Sequence, residues 1–187
     1  MFRWDLIQYR PDGKVLLLWR HERLFEEGLI KKGTEVCDVG GWGHLSERIM
    51  QEGGTCLILD KFTEDQYYPE RVMSLPHVRM DICKPIKGLS LFDVVTCFEV
   101  LEHVDNQEQA IKNMYALLKP GGWVAGTVPI PGGTHPADDP HVHFIDEHQL
   151  RLFLEAAGFR NITIESTPSI NKEDTFHPSL YYKGQKP

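Results

Sequence analysis

The sequence predicts a three-layer α/β sandwich around a mostly parallel, seven-stranded sheet, and three observations carry that prediction. Short, continuously apolar runs alternate with helix-period segments from residue 35 onward. A glycine-rich turn follows the first run. The last two strand-like runs are joined by loop instead of helix, which implies an antiparallel hairpin at one sheet edge. Strand–helix alternation requires parallel pairing with right-handed crossovers, and strands covered on both faces read as unbroken apolar runs. The expected architecture is Rossmann-like.

Taken in order, residues 1–34 hold an apolar strip at 15–19 and a helix running to Ile30, together a cover segment on the sheet. Residues 35–39 form the first strand, followed by glycines and a helix with Leu45 and Ile49 on one face. The second strand, 55–59, runs out at Asp60, and a weaker third, 78–80, at Asp81. The fourth, 92–97, is rich in β-branched residues. A helix over 107–118 shows an apolar stripe of Ala110, Ile111, Met114, Leu117 and Leu118. Lys119-Pro120-Gly121-Gly122 stops it, because proline cannot continue a helix and glycine accepts the reversed backbone. The fifth strand covers 123–128.

Asp146 is placed to cap the last helix, with Gln149 three residues on and Ile145 and Leu150 in the staple positions. Leu150, Phe153, Leu154 and Ala157 form its inner face, and Gly158 ends it. Strands at 161–166 and 179–183 close the chain. No repeat or linker divides it, so residues 35–187 read as one domain beneath the 1–34 cover.

Composition narrows the function. The 187 residues are 41% hydrophobic and 25% charged, ordinary for a globular protein. A net charge of −7 argues against a broad phosphate-binding surface, and hence against a nucleic-acid partner. No apolar run is long enough to span a bilayer, and the first residues lack the apolar core of a secretory signal. The four cysteines include no CxxC pair, and three lie in strand-like runs, so free thiols and a cytoplasmic setting are expected. Oligomeric state is left open.

The chemistry gathers at strand ends. After the first strand comes Asp38-Val39-Gly40-Gly41-Trp42-Gly43-His44, where glycines permit a tight turn and close backbone approach to a ligand. Asp60 follows Asp38 by roughly 20 residues, the spacing of a carboxylate that accepts ribose hydroxyls. Asp81 offers an acceptor for an adenine amino group. The fourth strand runs into Phe98-Glu99-Val100-Leu101-Glu102-His103. Each feature alone has a plainer reading: a turn, a helix cap, an acidic helix start. Four in order at consecutive strand ends point to an adenosine-bearing cofactor.

The stretch Phe92-Asp93-Val94-Val95-Thr96-Cys97-Phe98-Glu99-Val100-Leu101-Glu102-His103-Val104, followed by Leu118-Lys119-Pro120-Gly121-Gly122, resembles class I S-adenosylmethionine-dependent methyltransferases of the small-molecule branch. His141-Val142-His143-Phe144-Ile145-Asp146 and the helix closing on Ala157-Gly158-Phe159 fit the same branch. The resemblance covers residues 35 to about 183 and implies S-adenosyl-L-methionine as cofactor. It implies that Asp38 and Trp42 belong to the cofactor turn and that Gly40 and Gly41 meet the methionine end. It places Asp60 at the ribose, Asp81 and Ile82 at the adenine, and Phe98 and Glu99 beneath the sulfonium. In one place this chain departs from the family pattern. The family's first motif usually reads Asp-x-Gly-x-Gly-x-Gly, and here Trp42 and His44 stand where glycines are usual, or the loop is one residue short.

The function expected is methyl transfer to a small molecule or sugar, most simply to an oxygen, with no metal. His103 and His143 are candidate bases for a hydroxyl acceptor, as is His141, and the loop 129–140 should border the acceptor pocket. Three alternatives compete. Glu99, Glu102, His103 and His143 resemble the Glu-x-x-Glu-His plus His set of metal-assisted RNA 2′-O-methyltransferases. A non-catalytic cofactor-binding partner subunit would explain the irregular first motif. A dehydrogenase is disfavoured, because Gly41-Trp42-Gly43-His44-Leu45-Ser46 only approaches GxGxxG and leaves no room for a second domain.

Overall fold

The structure, a computed structural model, describes residues 19–61, 70–130, 143–167 and 179–187. Its strands are β1 Glu35–Val39, β2 Thr55–Asp60, β3 His77–Arg79, β4 Phe92–Phe98, β5 Leu118–Pro129, β6 Arg160–Ser166 and β7 Ser179–Gln185. They form one seven-stranded sheet in the order β3-β2-β1-β4-β5-β7-β6. β1 to β5 pair in parallel, and β7 runs antiparallel to both its neighbours. The chain travels outward from β1 to β3 and then crosses back to β4. The strand order therefore reverses between β1 and β4, where ligands of such sheets bind.

The helices are α1 Trp19–Glu26, α2 His44–Gln51, α3 Glu70–Ser74, α4 Gln107–Leu117 and α5 Glu147–Ala157, with a short 3-10 helix at Leu101–His103. Alternate strand residues separate the core into two layers, as a pleated sheet requires. Cys37, Val95, Val124 and Tyr182 pack with α4 and α5, through side chains such as Met114 and Leu154. Val36, Val94, Ala125 and Tyr181 face the other way and pack with Leu24 of α1 and with Leu45 and Ile49 of α2.

The expected caps are present. The Asp146 carboxylate accepts from the Gln149 amide at 2.7 Å, Ile145 and Leu150 are buried, and Gly158 ends α5 at φ +106°. Leu150 and Leu154 are fully buried, while Phe153 and Ala157 are only half-buried. Several element ends lie one or two residues from expectation, and three differences alter what the segment does. α1 ends at Glu26, four residues short of Ile30, because Gly28 turns left-handed at φ +71° and breaks the helix. β3 ends at Arg79, so Asp81 lies in the turn beyond the strand.

β5 begins at Leu118 instead of Trp123. Leu118 pairs with Phe92 and Trp123 pairs with Val94, so residues 119–122 bulge out between them. Lys119 in that bulge pairs with Asp93 at 2.9 Å, and the Gly121 amide donates to the Lys186 carbonyl at 2.8 Å. The strip at 15–18 and the loop at 131–142, including His141, lie outside the described residues. Among the described residues, no helix is long and apolar enough to cross a membrane.

Candidate active site

The carboxyl ends of β1 to β4 stand side by side. Their registers pair Val39 with both Leu59 and Cys97, and Asp60 with Arg79. The site is built on the residues that follow these ends.

In the turn after β1, Gly40 takes φ +68° and Gly43, which caps α2, takes φ +88°. Both values lie in the left-handed region, where a side chain is strained. Gly41 is needed for a different reason, since a Cβ there would lie 2.1 Å from Oδ2 of Asp38. Among the described residues only Glu99 and Asn161 take positive φ without being glycine, so the backbone at Trp42 and His44 makes no demand for one. The unusual motif thus keeps glycine at both left-handed positions, and Trp42, 38% exposed, fits the turn without a left-handed backbone.

Asp38 supports this turn from beneath. It is buried, accepts from Thr96 Oγ1 at 2.7 Å and from Ser46 Oγ at 3.5 Å, and Ser46 in turn accepts from the Cys56 thiol at 3.3 Å. Burial pushes the Asp38 carboxyl up to about 6, against the opposing pull of the Thr96 and Ser46 hydrogen bonds. One polar network therefore joins β1, α2, β2 and β4 under the glycine turn.

Asp60 closes β2, and its carbonyl accepts the Met80 amide at 2.8 Å, which holds the β3 exit beside it. The Asp81 carboxylate accepts the Cys83 amide at 2.9 Å in a local side-chain turn. Ile82 is buried, and the Asn113 amide of α4 donates to its carbonyl at 2.6 Å and to the Lys84 carbonyl at 2.9 Å. Asn113 was not singled out from sequence, although a polar residue inside the apolar stripe of α4 was the available signal. Asp60 and Asp81 thus bring two carboxylates to neighbouring strand exits, with the buried apolar side chain of Ile82 beside Asp81, donors and acceptors of the kind that adenosine requires.

At the β4 exit, Glu99 takes φ +54°, an uncommon conformation outside glycine, and its amide donates to the Thr127 carbonyl at 3.0 Å. Glu102 is not part of a solvated helix start. It is fully buried, and neither carboxylate oxygen has a hydrogen-bond partner. Burial, reinforced by the Glu99 charge, pushes it up to about 8. His103 is exposed, with Nε2 3.8 Å from Oε1 of Glu102. The His143 amide donates to the Glu102 carbonyl at 2.8 Å, which brings both histidines to the same turn. Gln107 locks that junction, donating to the carbonyls of Leu101 at 3.0 Å and His143 at 2.6 Å. Among the described residues, no three His, Cys, Asp or Glu side chains converge on a point that could hold a metal ion.

The structure adds α1 to this end of the sheet. Arg20 NH1 lies 4.0 Å from Glu99 Oε1, and the His21 ring meets the Phe98 ring edge-on at 4.5 Å between centroids. Sequence reading took this stretch for cover alone. The signal was helical spacing, since His21 shares a face with the buried Leu24 three residues on.

The methyltransferase-domain family profile matches residues 12–164. A ubiquinone biosynthesis O-methyltransferase of Coxiella burnetii (strain Dugway 5J108-111) is 30% identical, with 86% of this chain and 80% of that one covered. Among solved structures, an S-adenosylmethionine-dependent methyltransferase from Archaeoglobus fulgidus superposes with a TM-score of 0.69 at 20% identity, over 89% of this chain and 92% of that one. Haemonchus contortus phosphoethanolamine N-methyltransferase 2, bound to S-adenosylmethionine, superposes with a TM-score of 0.72 at 17% identity, over 90% of this chain and 53% of that one. Fold, strand-end residues and relatives agree: the chain belongs to the class I S-adenosylmethionine-dependent methyltransferases.

Proposed function

We propose that this enzyme methylates a hydroxyl of a small, ring-bearing molecule. The observation that carries the acceptor class is the relative named for O-methylation in ubiquinone biosynthesis, matched over most of both chains. A net charge of −7 supports a small-molecule acceptor over nucleic acid. The free thiols Cys37, Cys56 and Cys97, all buried, support a cytoplasmic, reducing setting.

S-adenosylmethionine supplies a methyl group activated on a sulfonium, and the chain supplies alignment, which can be worth ~7–11 kcal/mol in a well-held pair. Gly40 and Gly41 would hold the methionine end, with Asp38 supporting the turn and Trp42 flanking it. Asp60 would accept the ribose hydroxyls, Asp81 and Ile82 would receive the adenine, and Phe98 and Glu99 would serve the sulfonium side. His103 and His143 stand at the solvent boundary of the acceptor side and are candidates for passing the acceptor's proton to water. The division into a cover, 1–34, and a methyltransferase domain, 35–187, belongs to the same proposal. Its support is α1, whose Arg23 pairs with Glu165 of β6 and which is followed by Glu27, paired with Lys183 of β7.

Incubation with methyl-labelled S-adenosylmethionine tests this reading against catechol, a primary amine and a short RNA. Label on a catechol oxygen is expected. Label on the RNA or the amine alone would overturn the acceptor class.

A further inference from the structure

α1 is held firmly enough to present a side chain to chemistry. The Arg23 guanidinium lies over the Tyr181 ring at 4.1 Å and pairs with Glu165 at 2.9 Å. Glu27 pairs with Lys183 at 2.8 Å, and Leu24 is wholly buried beneath the helix. These anchors reach strands β6 and β7 and fix the preceding turn of α1 over the exit of β4. Arg20 and His21 occupy that turn, against Glu99 and Phe98 respectively.

His21 therefore stands at the β4 exit, where the acceptor side of the site begins. One side of its ring meets Phe98, the last residue of β4, and its charge environment includes His44, the first residue of α2 after the glycine turn. Its Nδ1 is shielded from solvent and has no hydrogen-bond partner. Other buried polar atoms without hydrogen-bond partners belong to the same β4 exit: Oε1 of Glu99 and both oxygens of Glu102. Native proteins leave few buried polar atoms unpaired, and a group of them at one strand exit marks a place that a ligand completes.

We propose that His21 Nδ1 receives the proton of the acceptor hydroxyl during methyl transfer, an inference that rests on the O-methylation reading above. The acceptor's O–H bond breaks toward Nδ1 as its oxygen bonds the methyl carbon, and the electron pair of the broken carbon–sulfur bond stays on sulfur. The proton then leaves His21 for solvent. The ring must present Nδ1 as its bare nitrogen, with the hydrogen on Nε2. Burial first, then the charge of Arg20 and of His44, holds His21 well below the usual imidazole range, so it is neutral at physiological pH. The charged groups around it are Arg20 on its own helix, His44 on α2, and Glu99 and Glu102 beyond β4, both of which Arg20 approaches or influences. His103 and His143 differ in being exposed, which suits them to the later exchange with water.

The test uses His21→Phe, which keeps a ring against Phe98, and His21→Gln, in the full-length chain. Calorimetric binding of S-adenosylhomocysteine is expected to stay within about 3-fold of wild type, since general-base loss leaves cofactor binding alone. Single-turnover methylation of catechol at pH 7.5 should fall roughly 100-fold or more, the usual cost of losing a general base. With 4-nitrocatechol, already ionised at that pH, the same variants should stay within about 3-fold of wild type, because no proton needs removal. Equal losses on both acceptors, no loss on catechol, or loss of S-adenosylhomocysteine binding in both variants would each overturn the role of His21 alone. A wild-type enzyme that binds S-adenosylhomocysteine yet methylates neither catechol overturns the O-methylation reading and this proposal with it.

Discussion

The two ends of the site are built on different physical terms. At the cofactor end, β1 to β3 deliver short loops whose polar groups find partners within the fold. Asp38 has Thr96 and Ser46, Asp81 has the Cys83 amide, and the Ile82 carbonyl has Asn113. Beyond β4, where the cofactor side meets the acceptor side, Glu99, Glu102 and His21 keep buried polar atoms without hydrogen-bond partners, and Glu99 holds a left-handed backbone. These loop groups are paired within the fold, whereas the β4 exit holds buried polar atoms that a bound molecule can pair. A site that must recognise one constant ligand can be prebuilt. A site that must act on a reacting group keeps unpaired functional atoms.

The largest effect that could break this contrast is at Glu102. Its folded value of about 8 lies above the ordinary 4.5, so the folded chain retains a proton that the unfolded chain releases between these values. Stability is therefore lost as pH rises through that window, by up to about 1.4 kcal/mol per pH unit. Glu102→Gln cannot titrate, so its melting temperature should gain on wild type from pH 5 to pH 8. Parallel curves would show that the β4 exit carries no such cost.

At the cofactor end, Gly41→Ala forces a Cβ against the Asp38 carboxylate and should displace the turn. Overpacking of this kind costs about 1–3 kcal/mol, so S-adenosylhomocysteine binding should weaken roughly 10- to 100-fold by calorimetry. A smaller effect is expected from Asn113→Ala, which strips the donor from two backbone carbonyls near the adenine turn. Thermal melts should report a loss of about 1–3 kcal/mol, together with a modest rise in the dissociation constant. Trp42→Gly should have the smallest effect, roughly 0.5–1 kcal/mol on stability, because the indole stands at the exposed edge of the turn and its backbone is not left-handed. A large loss of cofactor affinity there would make the indole a contact and sharpen the account of the glycine turn.

The cofactor end was the more legible in the sequence for the same physical reason. Its residues follow strands whose unbroken apolar runs mark their own ends, as at Val39 and Asp60, and glycines mark where the backbone turns. The parallel core, the antiparallel β7 and the Asp146 cap followed from pattern alone. What escaped depends on docking between distant segments. Nothing local to Glu102 foretells burial by its neighbours, and nothing local to His21 places it on Phe98, 77 residues away by number (98 − 21). The 119–122 bulge was missed because proline and glycines after a helix read as a stop, while its strand character depends on Phe92 and Lys186. The end of α1 was overrun because its apolar residues continue to Ile30 through a glycine that the fold turns left-handed.

The Asp60 carboxylate, at the end of β2, is the group proposed to hold the ribose of S-adenosylmethionine beside the glycine turn. Calorimetric titration of S-adenosylhomocysteine into wild type and Asp60→Ala tests it most directly. Losing charge-assisted hydrogen bonds should cost about 1.5–3 kcal/mol, so clear binding to wild type and roughly 10- to 100-fold weaker binding to a folded Asp60→Ala are expected. A folded wild-type sample that gives no heat, or equal affinities for the two proteins, would contradict it.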